Sequence, residues 1–302
     1  MPPSQPSAAS HPSQVPASVI ARLQRTMHGS VARFTPVSGG DVHRCYRVWL
    51  GDDRSFFLKT SQTSLPQLFS AEAEGLRWLA GFGALRTPEV LAVADHGPDG
   101  PGFLALAWIP DTAPNDEALT RLGVGLAALH CHGQPGPGWH RASAIGPLPQ
   151  LNGGEALSWA EFWAERRLRE MLTYAAPALP TAVIRQIEDV ADRCADLLGT
   201  GRPLTPLHGD LWRGNVLFRG GEPVLIDPAP YVGDPEVDLA MMALFGGFGA
   251  AFWRAYHGEL AEDPGQQRRR AVYQLWPLLV HVKLFGGQYV AQTAATAAIA
   301  LS

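Results

Sequence analysis

The second half of this 302-residue chain is patterned for helices, yet one short β-like insert interrupts it. Its strands run from Asn215 to Arg219 and from Pro223 to Ile226, joined by a Gly220-Gly221-Glu222 turn. Immediately before the insert stands Leu207-His208-Gly209-Asp210-Leu211-Trp212-Arg213-Gly214-Asn215, and immediately after it stands Asp227-Pro228-Ala229. The first acid and the amide are five positions apart, and Asp227 follows twelve residues later. A hairpin with polar residues at both open ends gathers them in one place, which restricts the fold to those that present a polar loop beside a hairpin between helices.

That trio suits phosphoryl transfer. The reaction needs a carboxylate to take the acceptor hydroxyl's proton, and two oxygen ligands to hold Mg²⁺ on a triphosphate. Asp210 fits the base, and Asn215 and Asp227 fit the metal ligands. Taken singly, each has an ordinary structural use: a turn cap, a strand start, an Asp-Pro loop. The ordered set has the spacing of the kinase catalytic loop H-x-D-L-x-x-x-N and the metal-binding Asp that follows it.

The first half supplies the complementary parts in order. From Val31 to Lys59 the pattern is strand, glycine turn, strand, turn, strand, an antiparallel meander. Gly39 and Gly40 fall at the first turn, where residues without a Cβ let backbone N–H groups approach phosphates. Lys59 ends the third strand, and only it and Lys283 are lysines among 24 basic residues. A helix is predicted from about Leu68 to Phe82. On it Glu72, thirteen residues beyond Lys59, is favoured over Glu74 as the ion-pair partner that holds Lys59 against the nucleotide phosphates. Further strands are expected near Val90–Val93 and Gly102–Ile109. The end of the latter, Ala107-Trp108-Ile109, would be a hinge whose main chain bonds an adenine edge.

Beyond Pro110 the pattern is mostly helical: about Glu117–Cys131, Ser158–Tyr174, Ala182–Leu198, Pro235–Leu244, Ala250–Glu259 and Ala271 onward. The fold class is therefore α+β and two-lobed: a tail over 1–17, a β-rich nucleotide lobe over 18–109, and a helical lobe with the catalytic loop and acceptor site over 110–302. A composition of 46% hydrophobic and 17% charged residues supports a large core, and a formal charge of -4 leaves no basic field for nucleic acid or an anionic membrane. The apolar stretch Ala271–Ala300 is interrupted by Gln274, His281, Lys283, Gln288 and Gln292, so buried helices are expected there rather than a membrane span. Cys45, Cys131 and Cys194 are odd in number and widely spaced, as free thiols in a reducing cytoplasm would be. His208 and Asp238 are expected to brace the catalytic loop, Trp159, Phe162 and Trp163 to be core, and Arg268-Arg269-Arg270 to form a solvated face.

The catalytic stretch, the segment Ile226-Asp-Pro-Ala-Pro-Tyr-Val-Gly-Asp-Pro-Glu-Val-Asp-Leu-Ala-Met241, and Leu244-Phe-Gly-Gly-Phe248 together resemble the fructosamine (ketosamine) kinase family. The resemblance extends to Ile145-Gly-Pro-Leu-Pro-Gln-Leu-Asn152, Trp159-Ala-Glu-Phe-Trp163 and Leu284-Phe-Gly-Gly287. It implies a protein-kinase-like fold, ATP and Mg²⁺, and transfer to the third-carbon hydroxyl of ketosamines, free or protein-borne. It also implies that Trp212 faces the acceptor sugar with Asp234 and Glu236 nearby. The chain departs from many members in carrying Ala107 where an acidic hinge residue is common, and Arg213 where Ser is common. The alternatives are an aminoglycoside- or choline-type phosphotransferase and a nucleotide-binding pseudokinase. The preferred sugar and the oligomeric state are left open.

Overall fold

The apolar run Gly102–Ala107 forms a strand covered on both faces. Phe103 and Ala105 pack with Val19, Leu23 and Phe56, while Leu104 and Leu106 pack with Phe69, Ala73 and Leu76. The period-2 alternation thus serves two different helices, one on each side of the sheet. The computed structural model describes residues 15–37, 43–61, 67–153, 157–258 and 265–302. The first lobe comprises α1 (Ala17–Met27), β1 (Val31–Pro36), β2 (Arg44–Leu50), β3 (Ser55–Ser61), α2 (Leu68–Gly81), β4 (Val90–Ala94) and β5 (Gly102–Ala107). Its sheet has the order β1-β2-β3-β5-β4, and every neighbouring pair is antiparallel. Gly39 and Gly40 lie outside the described residues.

Helix α1 covers the sheet face opposite α2, and Val15 ahead of it is 3% exposed. The packed chain therefore reaches into the stretch expected to be tail. Local composition hides this, because Val15, Val19 and Leu23 become a buried stripe only when the sheet is present to receive them.

The second lobe contains α3 (Asp116–His130), the hairpin β6 (Ser143–Ile145) and β7 (Leu148–Gln150), and α4 (Trp159–Trp163). A π-helical stretch, Ala164–Arg169, joins α4 to α5 (Glu170–Ala175), followed by α6 (Thr181–Asp192) and α7 (Cys194–Leu198). Then come β8 (Thr205–Leu207), β9 (Val216–Arg219), β10 (Glu222–Leu225) and β11 (Tyr231–Gly233). The chain closes with α8 (Glu236–Phe245), α9 (Ala250–His257), α10 (Gln266–Phe285) and α11 (Gln288–Leu301). Trp159, Phe162 and Trp163 are core, as expected, and Trp159 donates its indole N–H to Tyr273 Oη at 2.9 Å. The long apolar C-terminal stretch breaks into two helices at Gly286 and Gly287, both at left-handed φ. Among the described residues no helix is long and apolar enough to cross a membrane. The Arg268–Arg270 run is not uniformly solvated: Arg269 is 8% exposed and donates to both Glu236 oxygens at 2.8 Å.

Candidate active site

Four short strands organise the site as two nested antiparallel pairs. β9 pairs with β10 in the expected hairpin, and β8 pairs with β11 in a second pair that local pattern does not reveal. The loop from His208 to Asn215 leaves β8 and enters β9, while the loop from Ile226 to Pro230 leaves β10 and enters β11, so the two run side by side. Their backbones are tied: Ala229 N–H donates to His208 O at 2.9 Å and Ile226 N–H to Asn215 O at 3.0 Å. Gly209, at φ +78°, is required at this crossing, because a Cβ there would lie 2.0 Å from Ala229 O.

Two buried groups, His208 and Asp238, brace the His208–Asn215 loop, as expected from the sequence. Asp238 accepts from His208 N–H at 2.8 Å and Gly209 N–H at 2.9 Å. His208 accepts at Nδ1 from Asp210 N–H and donates from Nε2 to Ile226 O at 2.9 Å, a neutral tautomer consistent with burial lowering its pKa.

Lys59 has the strand parity of Phe57, which packs on the α2 side, so its ammonium is turned to α2 and away from α1. Its Nζ donates to Glu72 Oε1 at 3.1 Å and Oε2 at 3.0 Å, and lies 3.2 Å from Asp227 Oδ1. Glu74 instead takes Arg141 at 2.6 Å and His140 at 2.7 Å, which resolves the choice between the two glutamates. Burial alone would lower the Lys59 pKa, but Asp227 and Glu72 outweigh it and hold the group cationic. Asp227 sits at φ 52°, a left-handed conformation uncommon for a side chain with a Cβ. Burial would raise its pKa, yet the Lys59 charge carries it below the usual carboxylate range.

Asp210 is held from the amide side. Asn215 Nδ2 donates to Asp210 O at 2.8 Å and to Asp210 Oδ2 at 3.0 Å, which leaves Asn215 Oδ1 as the atom free to meet a cation. Burial, and then the charge of Asp227, push Asp210 up to about 7, a value suited to a base that works near neutrality. One lysine thus lies between Glu72 and Asp227, with Asp210 near enough to feel its charge. The excess negative charge, with an amide oxygen beside it, is the donor set a hard divalent cation fits. Among the described residues no cluster of three or more His, Cys, Asp or Glu is placed to hold a metal ion by itself.

Other expected residues are placed less simply. Ala107 N–H is engaged by Glu89 O at 2.9 Å, whereas among the described residues the N–H groups of Trp108 and Ile109, the rest of the expected hinge, donate to no backbone carbonyl. The Trp108 ring carries the Arg47 guanidinium, 4.3 Å from its centroid. Trp212 is 42% exposed beside Asp210, with its ring laid over Gly214, where a Cβ would be 2.2 Å from it. Asp234 and Glu236, expected near the acceptor, form an ion-pair cluster with two arginines. Asp234 is fully buried and accepts from Arg202 Nε at 2.5 Å and Tyr273 Oη at 2.9 Å, while Glu236 takes Arg202 at 2.7 Å and Arg269 at 2.8 Å. The acidic run alone is visible locally; Arg202 and Arg269, distant in sequence, neutralise it. Arg213 likewise braces the loop, donating to Val216 O at 2.6 Å.

The arrangement of charges decides the class. A buried lysine set between two carboxylates, beside a loop that carries a further carboxylate and an amide oxygen, is a charge arrangement suited to a metal-bound polyphosphate. On this two-lobed frame that is the work of a kinase-like phosphotransferase. Solved structures share the fold: one from Thermobifida fusca assigned to fructosamine-3-kinase has a TM-score of 0.83 at 37% identity, covering 94% of this chain and 98% of that one. A choline/ethanolamine kinase family protein from Mesorhizobium loti shares the fold at TM-score 0.58 and 17% identity, covering 94% and 98%. The fructosamine kinase family model matches residues 15–301, and the chain belongs to that family. A probable ketoamine kinase of Synechocystis is 40% identical over 263 residues, 85% of this chain and 86% of its own. A chloroplastic protein-ribulosamine 3-kinase of Oryza sativa is 32% identical, over 86% of this chain and 77% of its own.

Proposed function

We propose that the protein transfers the γ-phosphoryl group of ATP, with Mg²⁺, to the third-carbon hydroxyl of ketosamines such as ribulosamines and fructosamines, in a cytoplasmic deglycation repair. The observation that carries this reading is the Lys59–Glu72–Asp227 arrangement beside Asp210, in a chain of the fructosamine kinase family.

Lys59 would draw the nucleotide phosphates to the mouth of the two loops, and the N–H groups of Trp108 and Ile109 would take the adenine edge. Asp227 and Asn215 Oδ1 would hold the magnesium, whose charge neutralises the triphosphate as the phosphoryl group leaves. Asp210 would accept the acceptor hydroxyl's proton, its carboxylate aimed by Asn215 Nδ2. Trp212 would give the sugar and its protonated amine an aromatic face. Phosphate at the third carbon is a better leaving group than hydroxide, which destabilises the adduct.

An aminoglycoside acceptor would call for many free carboxylates in the helical lobe. Asp234, Glu236 and Asp238 are all taken up internally. A coupled ADP-release assay over ribulose-lysine, erythrulose-lysine, fructose-lysine, choline and kanamycin tests the reading. Turnover confined to the ketosamines is expected, and turnover of choline or kanamycin in their place would refute it.

A further inference from the structure

Lys59 is gripped by carboxylates carried on separate parts of the chain, Glu72 on α2 and Asp227 on the loop after β10. The segment between α3 and α4 touches both carriers. At one end Arg141 donates Nη1 to Glu74 Oε2 at 2.6 Å, and Nη2 to Gln67 Oε1 at 2.8 Å and Ser70 Oγ at 3.0 Å, three side chains running from the N-cap to the middle of α2. At the other end Gln150, 2% exposed, donates Nε2 to Ala229 O at 3.1 Å, two residues past Asp227. Asn152 joins these ends, donating Nδ2 to Arg141 O at 3.2 Å. Asn152 is in turn anchored by Arg167, a fully buried guanidinium that donates to Asn152 Oδ1 at 2.6 Å and lies 4.0 Å from the Tyr231 ring centroid.

We infer that the segment Arg141–Asn152 is a strap that sets the spacing between the two carboxylates of Lys59, with Arg141 and Gln150 as its positioning residues for nucleotide binding. Neither residue touches the phosphates; each fixes the carrier of one carboxylate. The inference rests on the reading of Lys59 and Asp227 as the groups that hold Mg·ATP. A side chain with three polar partners spread over the first two turns of a helix orients that helix more narrowly than a single ion pair would, since the guanidinium fork accepts few geometries.

The test is calorimetric affinity for Mg·AMP-PNP on the full chain, which needs no acceptor, read with thermal melting for Arg141→Met, Arg141→Lys, Gln150→Met and Lys59→Met. Arg141→Met and Gln150→Met are each expected to weaken nucleotide binding roughly three- to tenfold, the scale of one or two lost hydrogen bonds, while the variants stay folded. Arg141→Lys keeps the charge toward Glu74 but not the fork, and is expected to restore only part of the affinity. Lower melting temperatures with unchanged affinity in both Met variants would make the strap a stabilising element only and overturn the inference. Should Lys59→Met itself bind with wild-type affinity, the underlying reading of the site fails, and the strap with it.

Discussion

Gly75 on α2 stands so close to Pro230 that a Cβ on the glycine would lie 2.5 Å from the proline Cγ. Glycine inside a helix ordinarily weakens it by about 0.5–1 kcal/mol relative to alanine. Here the missing Cβ lets α2 rest on the loop that carries Asp227, so that Glu72 and Asp227 can reach one ammonium group. Gly75→Ala is therefore expected to lower the melting temperature, opposite in sign to the usual helix effect, and to weaken Mg·AMP-PNP binding. Melting and calorimetry check both, and a stabilised variant with unchanged affinity would show that the close approach is dispensable.

Asp210→Asn keeps the side-chain shape and removes the proton acceptor. Turnover is expected to fall roughly 10²–10⁴-fold with little change in nucleotide affinity. A variant that keeps more than about a tenth of wild-type kcat would exclude Asp210 as the base, since that is less than ~1.4 kcal/mol of barrier.

The same substitution reports on stability in metal-free protein. Burial and the neighbouring Asp227 push Asp210 up to about 7 in the folded state, against an ordinary 3.8. The folded form therefore binds more protons than the unfolded form between about pH 4 and pH 7, and wild-type stability falls as pH rises through that window. Asp210→Asn lacks this loss. Its melting temperature should exceed that of wild type at pH 8 and converge with it towards pH 4; an advantage independent of pH would point to another cause.

Asp227→Ala removes a charged oxygen donor and Asn215→Ala a neutral one. Both are expected to raise the Mg²⁺ concentration for half-maximal activity, Asp227→Ala to the point of abolishing turnover and Asn215→Ala less severely. An unchanged Mg²⁺ titration in both variants would show that these residues do not hold the metal.

Trp212 is 42% exposed with one ring face on Gly214. Trp212→Ala should raise the acceptor KM several-fold and leave the ATP KM nearly unchanged, because an aromatic face contributes about 0.5–2 kcal/mol to a nearby cation. Melting measured alongside separates this from a packing role, in which stability and both KM values would deteriorate together.

The polar trio Asp210, Asn215 and Asp227 is legible in the sequence because hairpin geometry is local. The tight turn there, with Arg219 paired to Glu222 across Gly220 and Gly221, one residue shorter than expected, brings Asn215 and Asp227 to the same end of a hairpin, and Asp210 lies five residues from the first of these. Lys59 is legible for a similar reason, since strand parity and the length of the β3–α2 connection place it and Glu72 on facing surfaces. The second strand pair, β8 with β11, is not legible: each strand has three residues, one of them Pro206, and their pairing spans the whole catalytic segment.

Sequence by itself determined the order of elements, the polar trio at the hairpin and the candidate lysine, because periodicity and turn chemistry act between near neighbours. Tertiary structure decided which carboxylates are free. Glu72 reaches Lys59 while Glu74 goes to Arg141, and Asp234 and Glu236 close on Arg202 and Arg269. A carboxylate's role depends on which cation lies within about 4 Å and how much water is excluded, and those distances exist only once segments far apart in the chain are packed together.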